Sequence, residues 1–327
     1  MISAPRSVSI DVVRILGIVA VVACHVWTAP DWSRRALFTW NVPLFFFLSG
    51  YLWTRWRPLR VEAHKRLLTL AVPYLAWLAI LLPVWLVQQI VIGDLELEDI
   101  WRPIAGGNFV GRPFSILWFV SALLFVALFY RVLQGLPLKA HWVIAVTLLL
   151  AAGVAPKAFS LLPLGIGTGL AGLVFVVAGT TFAHYRQSIR AEFVIAVSAL
   201  SGAVALISTG VSAPLDLKRA DVGTPLLSAA VAIAISAALI VLAERIVRLF
   251  GDLSGRVIVF LSSGGLFVVF AHPVVLWALS TPPNGTAFDF LLALVIPWVV
   301  GSGIRFTRLS PLLIGAPQAQ RQKMIAD

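Results

Sequence analysis

Arg14 and His25 are the two residues whose types and spacing offer the most chemistry. Eleven positions separate them. At ~100° per residue a helix turns about 1100° over that distance, three turns plus ~20°, so both side chains fall on one stripe, ~16 Å apart along the axis. Asp11, three residues before Arg14, shares its face and can pair with it. An arginine offers a planar fork that matches phosphate. A histidine titrates near neutral pH and can act as a general base or as a transient acyl carrier. One stripe thus presents a fixed cation and, deeper in, an imidazole, and both are expected to face a shared chamber. A second histidine in an apolar run, His272, lies at similar depth, which permits contact with His25.

Ionisable groups at bilayer depth cost ~2.5–3.5 kcal/mol on insertion scales, which makes them functional candidates. Another candidate is the end of the second apolar run, Phe45-Phe46-Phe47-Leu48-Ser49-Gly50. Its aromatic residues suit packing, whereas Ser49-Gly50 offers a place where a backbone or a ligand can approach closely.

The elements that must position these groups belong in lipid. Of 327 residues, 60% are apolar and 12% charged, against about a quarter charged in a soluble domain; the mean hydropathy is +0.97. A spanning helix needs ~20 apolar residues to cross ~30 Å of hydrocarbon. That ruler predicts ten transmembrane helices, over 8–28, 36–54, 67–92, 114–133, 142–160, 162–183, 192–210, 224–243, 257–279 and 287–304. The long unbroken runs lack the period-two alternation of a barrel. The expected architecture is all-α and polytopic: one membrane domain over 1–327, with a helical core at 8–304 and a short tail at 305–327. Asp11 and Arg14 interrupt the first run, which reads as an uncleaved helix. The one cysteine, Cys24, has no partner for an internal disulfide.

With the N-terminus inside, 17 of the 25 basic residues fall in cytoplasmic segments, among them Arg6, Arg55, Lys65, Arg66, Arg321 and Lys323. Seven fall in outside loops: Arg34, Arg35, Arg102, Arg112, Lys157, Lys218 and Arg219. This asymmetry predicts that both ends are cytoplasmic. The net charge of +11 then reflects topology and attraction to anionic lipid or ligands, and needs no nucleic acid. The longest outside loop, about 93–113, carries Asp94, Glu96, Glu98 and Asp99 and reads as solvated. No ligand cluster has metal-binding spacing and no phosphate-loop motif occurs, so no metal is expected.

The ordered motifs resemble those of the membrane acyltransferase-3 family. They are Asp11-x-x-Arg14, Arg14-x10-His25, Phe45-Phe46-x-x-Ser49-Gly50, Lys65-Arg66 followed by Pro73-Tyr74, Leu117-Trp118-Phe119 and Phe270-Ala271-His272. Members are multi-pass bacterial proteins that move acyl groups, usually acetyl, onto sugars and other hydroxyl-bearing molecules. The resemblance implies an acyl-CoA donor from the cytoplasm, a carbohydrate or lipid-linked glycan acceptor, and residence in the bacterial inner membrane. It implies His25 as the reacting group, with Arg14, Asp11 and His272 in support. Donor contacts would come from Arg14, Lys65, Arg66, Phe46, Ser49, Gly50 and Trp118. One departure is Thr69, where the family often carries a further arginine. On the residues alone, a secondary transporter or flippase using Arg14, His25 and His272 as a substrate or proton path fits equally well.

Overall fold

The computed structural model describes residues 7–54, 57–249 and 251–319. Of the basic residues counted for orientation, Arg6, Arg55, Arg321 and Lys323 lie outside them. Among the described residues every regular element is helical, and only two isolated bridges, Trp27 with Asn284 and Asp216 with Asp221, pair extended backbone.

The main helices are α1 (Val8–Val26), α2 (Asn41–Tyr51), α3 (Leu59–Ile92), α4 (Leu97–Ala105), α5 (Leu117–Leu133) and α6 (Leu138–Val154). They continue with α7 (Ile166–Ala171), α8 (Leu173–Tyr185), α9 (Glu192–Ser208), α10 (Leu227–Val247), α11 (Asp252–Ser263), α12 (Gly265–Ala278) and α13 (Ala287–Ile304). Four of these, α1, α3, α10 and α13, are long and apolar enough to cross a membrane. The number rises to six if two bent pairs each make one crossing: Pro163–Ala171 with Leu173–Ser188, bent by 49°, and Leu253–Ser263 with Gly265–Ala278, bent by 56°.

Hydropathy marks where the chain is apolar but not where its helices break. The run expected at 36–54 is divided: Arg34–Phe38 is a π-helical turn, and α2 starts only at Asn41 and holds 11 residues. The run expected from 67 begins eight residues earlier, at Leu59, with a π-helical turn at Leu67–Ala71 inside it. Helices α5, α6 and α9 have 17 residues each, about 26 Å of rise.

Helix α1 is central and packs against α2, α10, α11, α12 and α13. Of its most apolar stretch 61% is buried, against 22% for α3 and 17% for α13. Those outer helices turn large apolar side chains outward, such as Val87 and Val91 on α3 and Val299 on α13. An apolar exterior of this extent suits lipid rather than water, and the chain is an integral membrane protein.

Two contacts hold the central elements in place. Helix α2 meets α8 with almost no space between the backbones. A Cβ on Gly50 would lie 1.9 Å from the Val176 carbonyl oxygen, and one on Gly179 would lie 2.0 Å from that of Phe47. At the start of α3, Glu62 is only 2% exposed and accepts hydrogen bonds from Arg57 (3.0 Å), Arg66 (2.7 Å) and Arg131 of α5 (3.1 Å). The Arg131 guanidinium also lies 4.2 Å above the Trp53 ring, a cation–π contact. Arg66 therefore leaves α3 already oriented.

Candidate active site

Residues 14, 18, 21 and 25 step along α1 at helical spacing, and each lines a cavity. There are two cavities rather than the single chamber expected. Arg14 and Ile18 line one of about 700 Å³, and Val21 and His25 line another of about 490 Å³. Among the described residues none lines both. Phe45 of α2 and Phe119 of α5 line the Arg14 cavity, and their rings meet edge to face at 5.4 Å. One turn or one residue away, Val42 and Trp118 line the His25 cavity. Neighbouring helices thus give the two cavities different walls along one stripe of α1.

Arg14, Lys65, Arg66 and Arg305 face the first cavity, with no acidic residue among its described lining. Asp11 lies behind Arg14 and not on the wall. It is fully buried, 3.1 Å from the Arg14 guanidinium, and accepts a 2.6 Å hydrogen bond from the Ser262 hydroxyl. A buried carboxylate bound in this way fixes the guanidinium it pairs with. Arg305, just beyond α13, donates to the Ser263 hydroxyl (3.1 Å) and the Pro317 carbonyl (2.7 Å). Thr69, in the π-helical turn of α3, also lines this cavity; such turns are frequent at functional sites.

The motif at the end of α2 divides in the structure. Ser49 lines the Arg14 cavity, and its buried hydroxyl has no hydrogen-bond partner among the described residues. An unsatisfied buried hydroxyl is costly, so the position favours a ligand that completes it. Phe46 is not brought to the cavity. It is fully buried, with its ring 6.1 Å from that of Phe119, and its neighbour Phe45 lines the wall instead. Gly50 is occupied by the α2–α8 contact. Trp118 lines the His25 cavity.

The two histidines come together. The His25 and His272 rings stand edge to face, with centroids 4.9 Å apart and planes at 70°. His25 Nδ1 is 2.9 Å from the Val21 carbonyl oxygen, and His272 Nδ1 is 2.9 Å from that of Val268. A carbonyl oxygen only accepts, so Nδ1 carries the proton in each ring. Nε2 is then the basic nitrogen of the neutral imidazole. His272 is completely buried, and its Nε2 has no hydrogen-bond partner among the described residues. His25 is the member of the pair that lines a cavity.

Loops complete the His25 cavity. Arg112 donates to the backbone carbonyl of His25 and, at 2.7 Å, to that of Thr281. Lys218 donates to the Val110 carbonyl at 2.6 Å. Arg34, Asp216 and Arg219 also line the space. Burial pulls the Lys218 amine down to about 8 and pushes the Asp216 carboxyl up. The segment 93–113, expected to be a solvated loop, forms α4 behind a reciprocal Glu96–Asp99 cap and then covers this cavity with residues 108–112.

Sequence reasoning did not single out Ser262, Arg305, Arg112 or Lys218. Arg305, Arg112 and Lys218 entered only as charges in the topology count. Their partners lie far along the chain: 87 residues separate Arg112 from His25, and 251 separate Ser262 from Asp11. No local periodicity reports contacts of that kind.

A family model described as an acyltransferase domain (acyltransferase-3) matches residues 7–307. No curated protein and no solved structure matches the chain.

Proposed function

The chain belongs to the acyltransferase-3 family and is an acyltransferase; from that premise we propose that it transfers an acyl group, typically acetyl, from cytoplasmic acyl-CoA to a hydroxyl of a glycan or another small acceptor. The observation that carries this reading is the end-to-end arrangement of a four-cation cavity and a histidine cavity along α1. Family membership favours it over a transport path through the same residues.

CoA is a polyanion, and Arg14, Lys65, Arg66 and Arg305 are suited to hold its phosphates. Arg14 and His25 are ~16 Å apart along the helix, so the thioester arm reaches from one cavity to the other past Phe45 and Phe119. Ser49 stands beside that path. At His25, Nε2 takes the proton of the acceptor hydroxyl as its oxygen attacks the thioester carbonyl carbon. The new C–O bond forms, the C–S bond breaks, and the departing thiolate receives the proton from the imidazolium. His272 holds the imidazole plane, while Asp11 holds Arg14.

In the orientation that the distribution of basic residues supports, the chain makes ten crossings with both ends in the cytoplasm. The Arg14 cavity then opens toward the cytoplasm of a bacterial cell, and the acceptor approaches His25 from the opposite face of its inner membrane.

The test is incubation of the purified protein with labelled acetyl-CoA and a panel of sugars. Saturable retention of the label and its passage to a hydroxyl is the expected result. A protein that neither binds nor consumes acyl-CoA removes the proposal.

A further inference from the structure

The charges around His25 ask for an occupant that the family assignment does not specify. Four cations, Arg34, Arg112, Lys218 and Arg219, line this cavity against one carboxylate, Asp216. Two of the four are tied to the protein itself. Arg112 donates to the His25 and Thr281 carbonyls, and Lys218 donates to the Val110 carbonyl. These contacts are to carbonyl oxygens; Asp289, outside the lining, acts on the Arg112 charge and Asp216 on that of Lys218, which leaves four cations facing two carboxylates. Arg34 lies 5.3 Å from the centre of the Phe38 ring, and Arg219 is 3.7 Å from Asp216, longer than a charge-assisted hydrogen bond. The Ser115 hydroxyl lines the same cavity. Ser115 is 7% exposed, and its Oγ has no hydrogen-bond partner among the described residues.

Gathering four cations around a partly closed space, with the Arg219 side chain 64% exposed to solvent, favours an anion there. Such a cleft also concentrates anions from solution. A neutral sugar would leave this excess charge unmet. The volume of about 490 Å³ lies within the ~300–1,000 Å³ typical of small-molecule sites.

We propose that the His25 cavity receives an acceptor bearing a negative charge, a phosphate- or carboxylate-substituted hydroxyl compound, and that Arg34 and Arg219 meet this charge. The inference rests on the reading of His25 as the group that the acceptor approaches. It names the chemical class that reaches it.

The experiment uses the full-length protein in nanodiscs and follows carbethoxylation of His25 by diethyl pyrocarbonate, mapped by peptide mass spectrometry. Glucose 1-phosphate, glucuronate and glucose are the added probes. One or both anionic sugars should protect His25 while glucose does not, and comparing the two separates phosphate from carboxylate recognition. In R34Q/R219Q the protective concentration should rise about tenfold or more, with retention of labelled acetyl-CoA at the Arg14 cavity unchanged. Equal protection by glucose, absence of protection by every probe, or full protection surviving in R34Q/R219Q overturns the proposal. Anion protection in a protein that ignores acetyl-CoA would instead remove the acyl-transfer reading and leave the anion site in place.

Discussion

The imidazole rings of His25 and His272 meet edge to face, and each donates its Nδ1 proton to a backbone carbonyl one turn earlier in its own helix. Both tautomers are therefore set by main-chain geometry, which leaves Nε2 of His25 as the nitrogen for chemistry. Replacing His25 by Ala removes that nitrogen. Acyl transfer should fall by roughly 10²–10⁴-fold, with insertion and abundance unchanged. H272Q should lose less, since the basic nitrogen survives and only its neighbour changes. Transfer rates for the two variants at equal protein check this, and substantial activity in H25A removes His25 from the reaction.

Arg14 is held by the fully buried Asp11 at 3.1 Å. R14K keeps the charge but loses the planar fork. The expected outcome is a KM for acyl-CoA raised by about tenfold with a smaller change in kcat, because the lost contact serves ground-state and transition-state binding alike. Normal donor affinity in R14K would argue against phosphate recognition there.

Glu62 and Arg131 are each 2% exposed. Replacing Glu62 by Gln leaves the Arg131 charge buried without its carboxylate, a loss of about 3–5 kcal/mol. E62L/R131M, which removes both charges, should be markedly more stable than E62Q. Thermal unfolding in detergent orders the two variants. Because Arg66 also leans on Glu62 at 2.7 Å, E62Q should weaken acyl-CoA binding as well.

Adding one methyl group at Gly50 drives it into the Val176 carbonyl, since the Cβ would sit 1.9 Å from that oxygen. G50A should destabilise the protein by about 1–3 kcal/mol or more through forced separation of α2 and α8. The expected readout is a lower melting temperature and a lower yield of folded protein, and a melting temperature equal to that of the parent would refute the contact.

Lys218 carries the pH signature of the loop side. Burial lowers its pKa from 10.5 to about 8, so the amine is charged below that pH and neutral above it. Affinity of the His25 cavity for glucose 1-phosphate should fall as pH rises through about 8. Arg34, Arg112 and Arg219 keep their charge over that range, with Asp216 opposing them as a carboxylate. K218Q should flatten the profile. Stability moves the other way: between about 8 and 10.5 the unfolded chain holds a proton that the folded chain has shed, so this group makes the fold more stable as pH rises.

What the sequence made legible was whatever lies within one helix. The Asp11–Arg14 pair and the stripe through residues 14 and 25 follow from a 3.6-residue period, and both are present in α1. The spacing could not say that the two ends of that stripe face different cavities, because the walls, Phe45 and Phe119 among them, arrive from other helices. Nor could it choose between Phe45 and Phe46. Helix α2 is apolar on every side, so nothing in its pattern fixes which ring meets the cavity. The breaks at Trp40, Gly172 and Gly264 are hidden for a similar reason: the chain stays apolar through them, while at the last two its direction turns by 49° and 56°.

The ring contact between Phe45 and Phe119 has a consequence for the cell that carries this protein. A biological membrane stores voltage, worth about 2.3 kcal/mol per elementary charge for every 100 mV, and a water-filled bore through it would discharge that store. With Phe45 and Phe119 in the wall of one cavity and no described residue common to both, the stripe on α1 faces two compartments rather than one continuous bore. Apolar rings in that wall oppose the passage of ions, and the transfer proposed above asks only a small uncharged acyl arm to go by.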